Sequence, residues 1–157
     1  MLSLAVIFVA RCLLVMLFLP FSTLDKILNP GQAVAQAAQG VRAPWLARTL
    51  IFAGAAVEVV MSLAILTGVA DRLAAFVLAG YCLVTALVWK QFWKTADFRL
   101  RGVSQGREVF WDFLKNVALA GGFLMLTFGS DAAGVGRFVD RPFASSHPYA
   151  VIEEGAR

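Results

Sequence analysis

Four apolar runs, each close to the length needed to cross a bilayer, constrain this chain more than any other feature. They fall at about residues 2–21, 46–69, 73–89 and 109–128. A helix needs roughly 20 such residues to span ~30 Å of hydrocarbon, and none of the runs alternates apolar with polar residues as a membrane strand does. The sequence predicts an all-α polytopic membrane protein: an antiparallel four-transmembrane-helix bundle over residues 1–129, then a polar tail over 130–157. Composition points the same way. Hydrophobic residues make up 60% and charged residues 15%, against about 45–50% and about 25% in soluble domains. A soluble fold needs more polar covering than this, and a disordered chain is poorer in apolar residues.

The first run, LSLAVIFVARCLLVMLFLPF, is followed by Ala33-Val34-Ala35, which has the small-x-small form of a signal-cleavage site. No Lys or Arg precedes the run and Arg11 divides it, so it reads as a retained transmembrane helix. Gly68 to Arg72 is a tight turn that should fold spans two and three into an antiparallel hairpin. After the turn signal Asn29-Pro30-Gly31, the stretch AVAQAAQ suits a short surface helix. The 90–108 connector mixes Trp, Phe and basic residues as membrane-surface segments do. Its charge fits anionic lipid rather than nucleic acid.

An even number of spans puts both termini on one side, here side A, and the 22–47 and 90–108 connectors on side B. Side B carries Lys26, Arg42, Arg48, Lys90, Lys94, Arg99, Arg101 and Arg107, eight cations against four on side A (Arg72, Arg137, Arg141, Arg157). The positive-inside rule then predicts a cytoplasmic side B and extracytoplasmic termini. Trp45, Trp89, Trp93 and Trp111 lie at side-B span ends, where an interfacial aromatic belt is expected.

Polar residues inside spans mark candidate function, because a charge at mid-membrane costs about 2.5–3.5 kcal/mol on insertion scales. Arg11 and Glu58 fall near the middles of antiparallel spans one and two, so they are expected to meet as a buried charge pair. A ligand or proton-handling site is the alternative. At the side-B end, Asp112, Lys115 and Asn116 share a helical face. Lys26, beside Asp25, and Lys90 close neighbouring spans at the same end. This cluster suits an anionic or quinone-like head group, or simple snorkelling to phospholipid heads.

Cys12 and Cys82 form no C-x-x-C pair and read as packing residues. The single histidine, His147, lies outside every run, which argues against a haem held within the spans. Gly121-Gly122 with Ala118 offers a small-residue packing patch. No metal motif, nucleophile triad or phosphate loop stands out. The expected cofactor inventory is therefore none intrinsic, with a bound quinone or phospholipid as the candidate.

Arg11, Asp25-Lys26, the stretch GAAVEVVMSLAILTG around Glu58 and above all FLKNVALAGG at 113–122 resemble the DoxX family of small bacterial and archaeal membrane proteins. The likeness runs over about residues 4–129, and the long 90–108 connector and extended tail depart from it. The resemblance implies a four-helix bundle in the cytoplasmic membrane, associated with a quinone-linked respiratory or sulfur-oxidising complex. Related bundles use paired cysteines for disulfide chemistry, which this chain lacks. The leading expectation is a non-catalytic accessory subunit with membrane lipids and a larger redox complex as partners, and no nucleic acid. The alternatives are a small-solute or proton carrier using Arg11 and Glu58, and a purely structural or assembly subunit.

Overall fold

The computed structural model describes residues 2–41 and 43–150. Among them there are helices and no strands. The elements are α1 (Leu2–Val15), α2 (Thr23–Leu28), α3 (Pro30–Ala38), α4 (Pro44–Thr67), α5 (Asp71–Trp89), α6 (Gln105–Phe128) and α7 (Ala133–Asp140). Four stretches are long and apolar enough to cross a membrane: Leu2–Leu28, Trp45–Thr67, Asp71–Lys94 and Gln105–Phe128.

The first of these runs on beyond residue 21. Pro20 has no N–H to give the helical ladder, and the chain breaks there, with Leu19 extended at φ −121°, ψ 111°. Beyond a wide turn over Leu17–Ser22 the helix resumes as α2. The break turns α2 so that Lys26 faces α4 rather than water.

Helix α5 is the centre of the bundle and packs most extensively against α6, then α4. Its buried face is Ala74, Ala75, Leu78, Ala79, Cys82 and Ala86. In lipid there is no hydrophobic drive to bring helices together, so small residues that let backbones approach closely carry the association. Val15, Phe18, Ile65, Ala120 and Phe123 complete the core. Outside it, Phe52, Val60, Val84, Leu87 and Met125 are exposed, as lipid-facing side chains are.

Gly68 ends α4 in the left-handed conformation, φ 78°, which a side chain would strain. The tail uses that site. Helix α7 docks through Phe138, whose ring lies 5.2 Å from Phe76 and 5.6 Å from Phe128. The segment after it returns as a strap over the α4–α5 turn. Ser145 Oγ donates to the Gly68 carbonyl (2.6 Å), Tyr149 donates to the Leu66 carbonyl, and Pro148 sits 2.9 Å from where a Gly68 Cβ would stand.

At side B, Asp97 in the connector accepts from the N–H groups of Gln105 (2.7 Å) and Gly106 (3.0 Å), and Ser104 Oγ accepts from Arg107 N–H (3.2 Å). These satisfy orphan donors at the start of α6. The backbone bond from Gln105, joined by that from Gly106, holds the Asp97 carboxyl below its ordinary pKa.

Candidate functional site

Arg11 and Glu58 are both buried, 6% and 1% exposed, but they do not pair with each other. This corrects the expectation drawn from span depth. The physical reason is side-chain direction. Side chains on a helix lean toward its N-terminus, and α1 starts at side A while α4 starts at side B. Arg11 therefore leans toward side A and Glu58 toward side B, so residues at similar backbone depth diverge.

Arg11 finds its counter-charge in Asp71, the first residue of α5. Its Nη2 donates to Asp71 Oδ2 (2.6 Å) and to Ser146 Oγ (2.8 Å), and its Nη1 to the Ile65 carbonyl (2.5 Å). Asp71, fully buried, also accepts from the Ser146 N–H (2.8 Å) and hydroxyl (2.5 Å). The C-terminal strap thus closes over the ion pair and supplies part of its hydrogen bonding. An apolar hollow of about 320 Å³ adjoins it, lined by Ile7, Leu14, Leu126 and Pro148.

Glu58 is held from α2, from the Leu17–Ser22 turn and from α5. Lys26 Nζ donates to both carboxylate oxygens at 2.6 Å and to Ser22 Oγ at 2.7 Å. Ser22 Oγ (3.2 Å) and the Tyr81 hydroxyl (2.6 Å) donate to Glu58 Oε1. Gly54, one turn before Glu58, makes room for this phenol: a Cβ there would stand 3.1 Å from Tyr81 Oη. Ser62, between the two clusters on α4, is buried with no partner for its hydroxyl among the described residues. The two networks are separate.

The Glu58 cluster forms the inner polar end of a cavity of about 510 Å³. Its walls come from Leu17 and Phe18, from α4 residues including Leu50 and Val57, and from Val84 and Trp89 of α5. Leu17 and Leu50 are also among the exposed residues. Helix α3, expected as a surface helix, buries Ala33 and Ala37 and roofs the cavity with them. Trp89 braces that roof, its Nε1 donating to the Ala37 carbonyl (3.4 Å).

The side-B cluster expected from sequence is divided by the structure. Lys26 and Asn116 reach the cavity, together with Asp25 and Lys90. Asp112 stands behind Lys90, accepting from it at 3.1 Å, and Lys115 bonds to Asp112 at 3.2 Å with its side chain 73% exposed. Asn116 gives its amide to the Asp112 carbonyl (2.9 Å). Trp45, Trp93 and Trp111 are exposed, whereas Trp89 belongs to the cavity wall. Tyr81, Ser22 and Trp89 are cavity residues, and Asp71 and Ser146 ion-pair residues, that sequence reasoning did not select for those roles. The signal for Tyr81 and Ser22 was the need of a buried Glu58 for donors from its side-B neighbours.

Among the described residues no group of three or more His, Cys, Asp or Glu is placed to hold a metal. What the arrangement offers is a cavity with apolar walls, a polar inner end and further polar side chains, Asp25, Lys90 and Asn116, built into a helical membrane protein with four candidate spans. The chain belongs to the DoxX family, whose model matches residues 6–91, more than half of the chain. That match covers Arg11, Lys26, Glu58, Asp71 and Tyr81 and ends before the 113–122 motif. No curated protein and no solved structure matches the chain.

Proposed function

We propose that this DoxX protein is an accessory, non-catalytic subunit of a quinone-linked redox complex in a bacterial or archaeal cytoplasmic membrane, and that its side-B cavity seats the head group of an amphiphile, a quinone or a lipid. The observation that carries the reading is the cavity itself. At about 510 Å³ it falls within the roughly 300–1,000 Å³ of small-molecule sites. It joins apolar walls continuous with exposed Leu17 and Leu50 to a polar end at Lys26, Glu58 and Tyr81. That order of apolar and polar surface matches a tail followed by a head.

The orientation belongs to the same proposal. With eight cations on side B against four on side A, the cavity opens near the cytoplasmic leaflet and both termini face outward. Purification in mild detergent, followed by organic extraction and protein mass spectrometry, tests the role. A stoichiometric redox partner together with a co-extracted quinone or lipid is the expected result. An isolated chain with nothing bound would overturn it, and solute flux by that isolated chain in vesicles would establish the carrier alternative instead.

A further inference from the structure

We infer that the inner end of the cavity selects an uncharged head group that donates a hydrogen bond, a hydroxyl carried on an apolar tail, over anionic heads and over heads that can only accept. This deepens the amphiphile-site reading and rests on it.

An ammonium has three donors, and those of Lys26 go to Ser22 Oγ and to both oxygens of Glu58. The hydroxyl protons of Ser22 and Tyr81 go to Glu58 Oε1. The protons of these three side chains are directed at Glu58 or at one another. Lone pairs remain: Tyr81 Oη, having donated, is free to accept, and Glu58 Oε2, on a side chain 2% exposed, accepts only from Lys26 among the described residues. The end of the cavity is an acceptor surface.

Charge leads to the same selection. Lys26 is already neutralised by Glu58 at 2.6 Å, so a phosphate or carboxylate at the inner end would face a carboxylate, while Lys90, the other lysine lining the cavity among the described residues, stands toward the mouth and is itself paired with Asp112. A head that can only accept would set its lone pairs against those of Glu58 and Tyr81. A hydroxyl satisfies both. Toward the mouth, Lys90 gives one bond to Asp112 and keeps protons for a second, accepting oxygen on the same head. Two amphiphiles share this chemistry, a hydroquinone and a neutral acylglycerol or alkylglycerol.

The test compares four probes that share a twelve-carbon tail: dodecyl benzohydroquinone, dodecyl benzoquinone, monododecyl glycerol ether and dodecyl phosphate. Each is titrated into the purified full chain in one detergent, and binding is read by native mass spectrometry. The hydroquinone is expected to bind about tenfold more tightly than the quinone, the consequence of one hydrogen bond to a charged acceptor made rather than replaced by repulsion. Dodecyl phosphate should bind weakest. Tyr81→Phe preserves the cavity's shape and removes one of the two opposing acceptors, so it should weaken hydroquinone binding about threefold while quinone binding holds or tightens, and equal weakening of both would contradict the acceptor role of Tyr81.

Tight binding of both hydroxyl probes identifies the hydroxyl as the recognised feature, and tight binding of the hydroquinone alone adds the ring. Equal or tighter binding of the quinone or the phosphate overturns the selectivity while leaving an amphiphile site in place. Binding of none of the four removes the site and the selectivity together.

Discussion

Removing Asp71 should destabilise the bundle more than almost any other single truncation. In Asp71→Ala, Arg11 would remain buried with only the Ile65 carbonyl and Ser146 hydroxyl as partners, and the strap would lose both of its bonds from Ser146. Breaking a buried ion pair from one side typically costs about 3–5 kcal/mol. Arg11→Met leaves Asp71 two donors from Ser146, so its loss should fall near the lower end, about 3 kcal/mol. The double variant removes both charges together and should lose about 1–3 kcal/mol less than the sum of the singles. Equilibrium unfolding in mixed detergent–SDS micelles, followed by circular dichroism, measures all four proteins on one scale. Arg11→Met combined with Glu58→Ala is the control: the two residues share no partner, so their losses should add within about 0.5 kcal/mol. Additive losses for Arg11 and Asp71, or strong coupling between Arg11 and Glu58, would refute the assignment of two separate networks.

Lowering the pH should release the start of α6 at Asp97. Because the bonds from Gln105 and Gly106 depress its folded pKa, the contribution to stability is present above the unfolded value of about 3.9 and is lost as pH falls through the lower folded value. Amide resonances of Gln105 and Gly106 should report that midpoint, and a midpoint at or above the ordinary value would contradict the capping geometry. Gly68→Ala should cost roughly 1–2 kcal/mol through its left-handed backbone, more if Pro148 is displaced, and should speed proteolysis of the 141–150 strap. Unchanged cleavage would show that the strap does not depend on this turn. A reporter active only in the cytoplasm should stay silent when fused to the C-terminus, and a strong signal there would reverse the proposed orientation.

The four spans were readable because length and apolarity alone constrain what crosses a bilayer. Arg11 and Glu58 were readable as buried charges for the same reason, since each interrupts a long apolar run. Their partners were not. Span depth brought Arg11 and Glu58 together, but depth omits the lean of each side chain and the break at Leu19–Pro20 that turns Lys26 inward. Asp71 looked like an ordinary turn residue. Its burial depends on Ser146, 75 positions away along the chain, and no local pattern shows that the tail comes back to cover it. Lys26 and Asn116 could be placed at a polar end because both follow or open apolar runs. Lys115 has the same spacing, yet it points outward, because only packing decides which side of a helix faces the cavity.

The central claim is that the Glu58 cavity holds an amphiphile in the membrane. Native mass spectrometry of the full chain released from its own membrane, beside an Ala53→Phe variant that fills the cavity wall, tests it most directly. The wild-type chain should carry a bound small molecule, and the variant should lose it while keeping its helical circular dichroism and its unfolding midpoint. The same molecule retained in the same amount by a well-folded variant would place it elsewhere on the protein and contradict the claim.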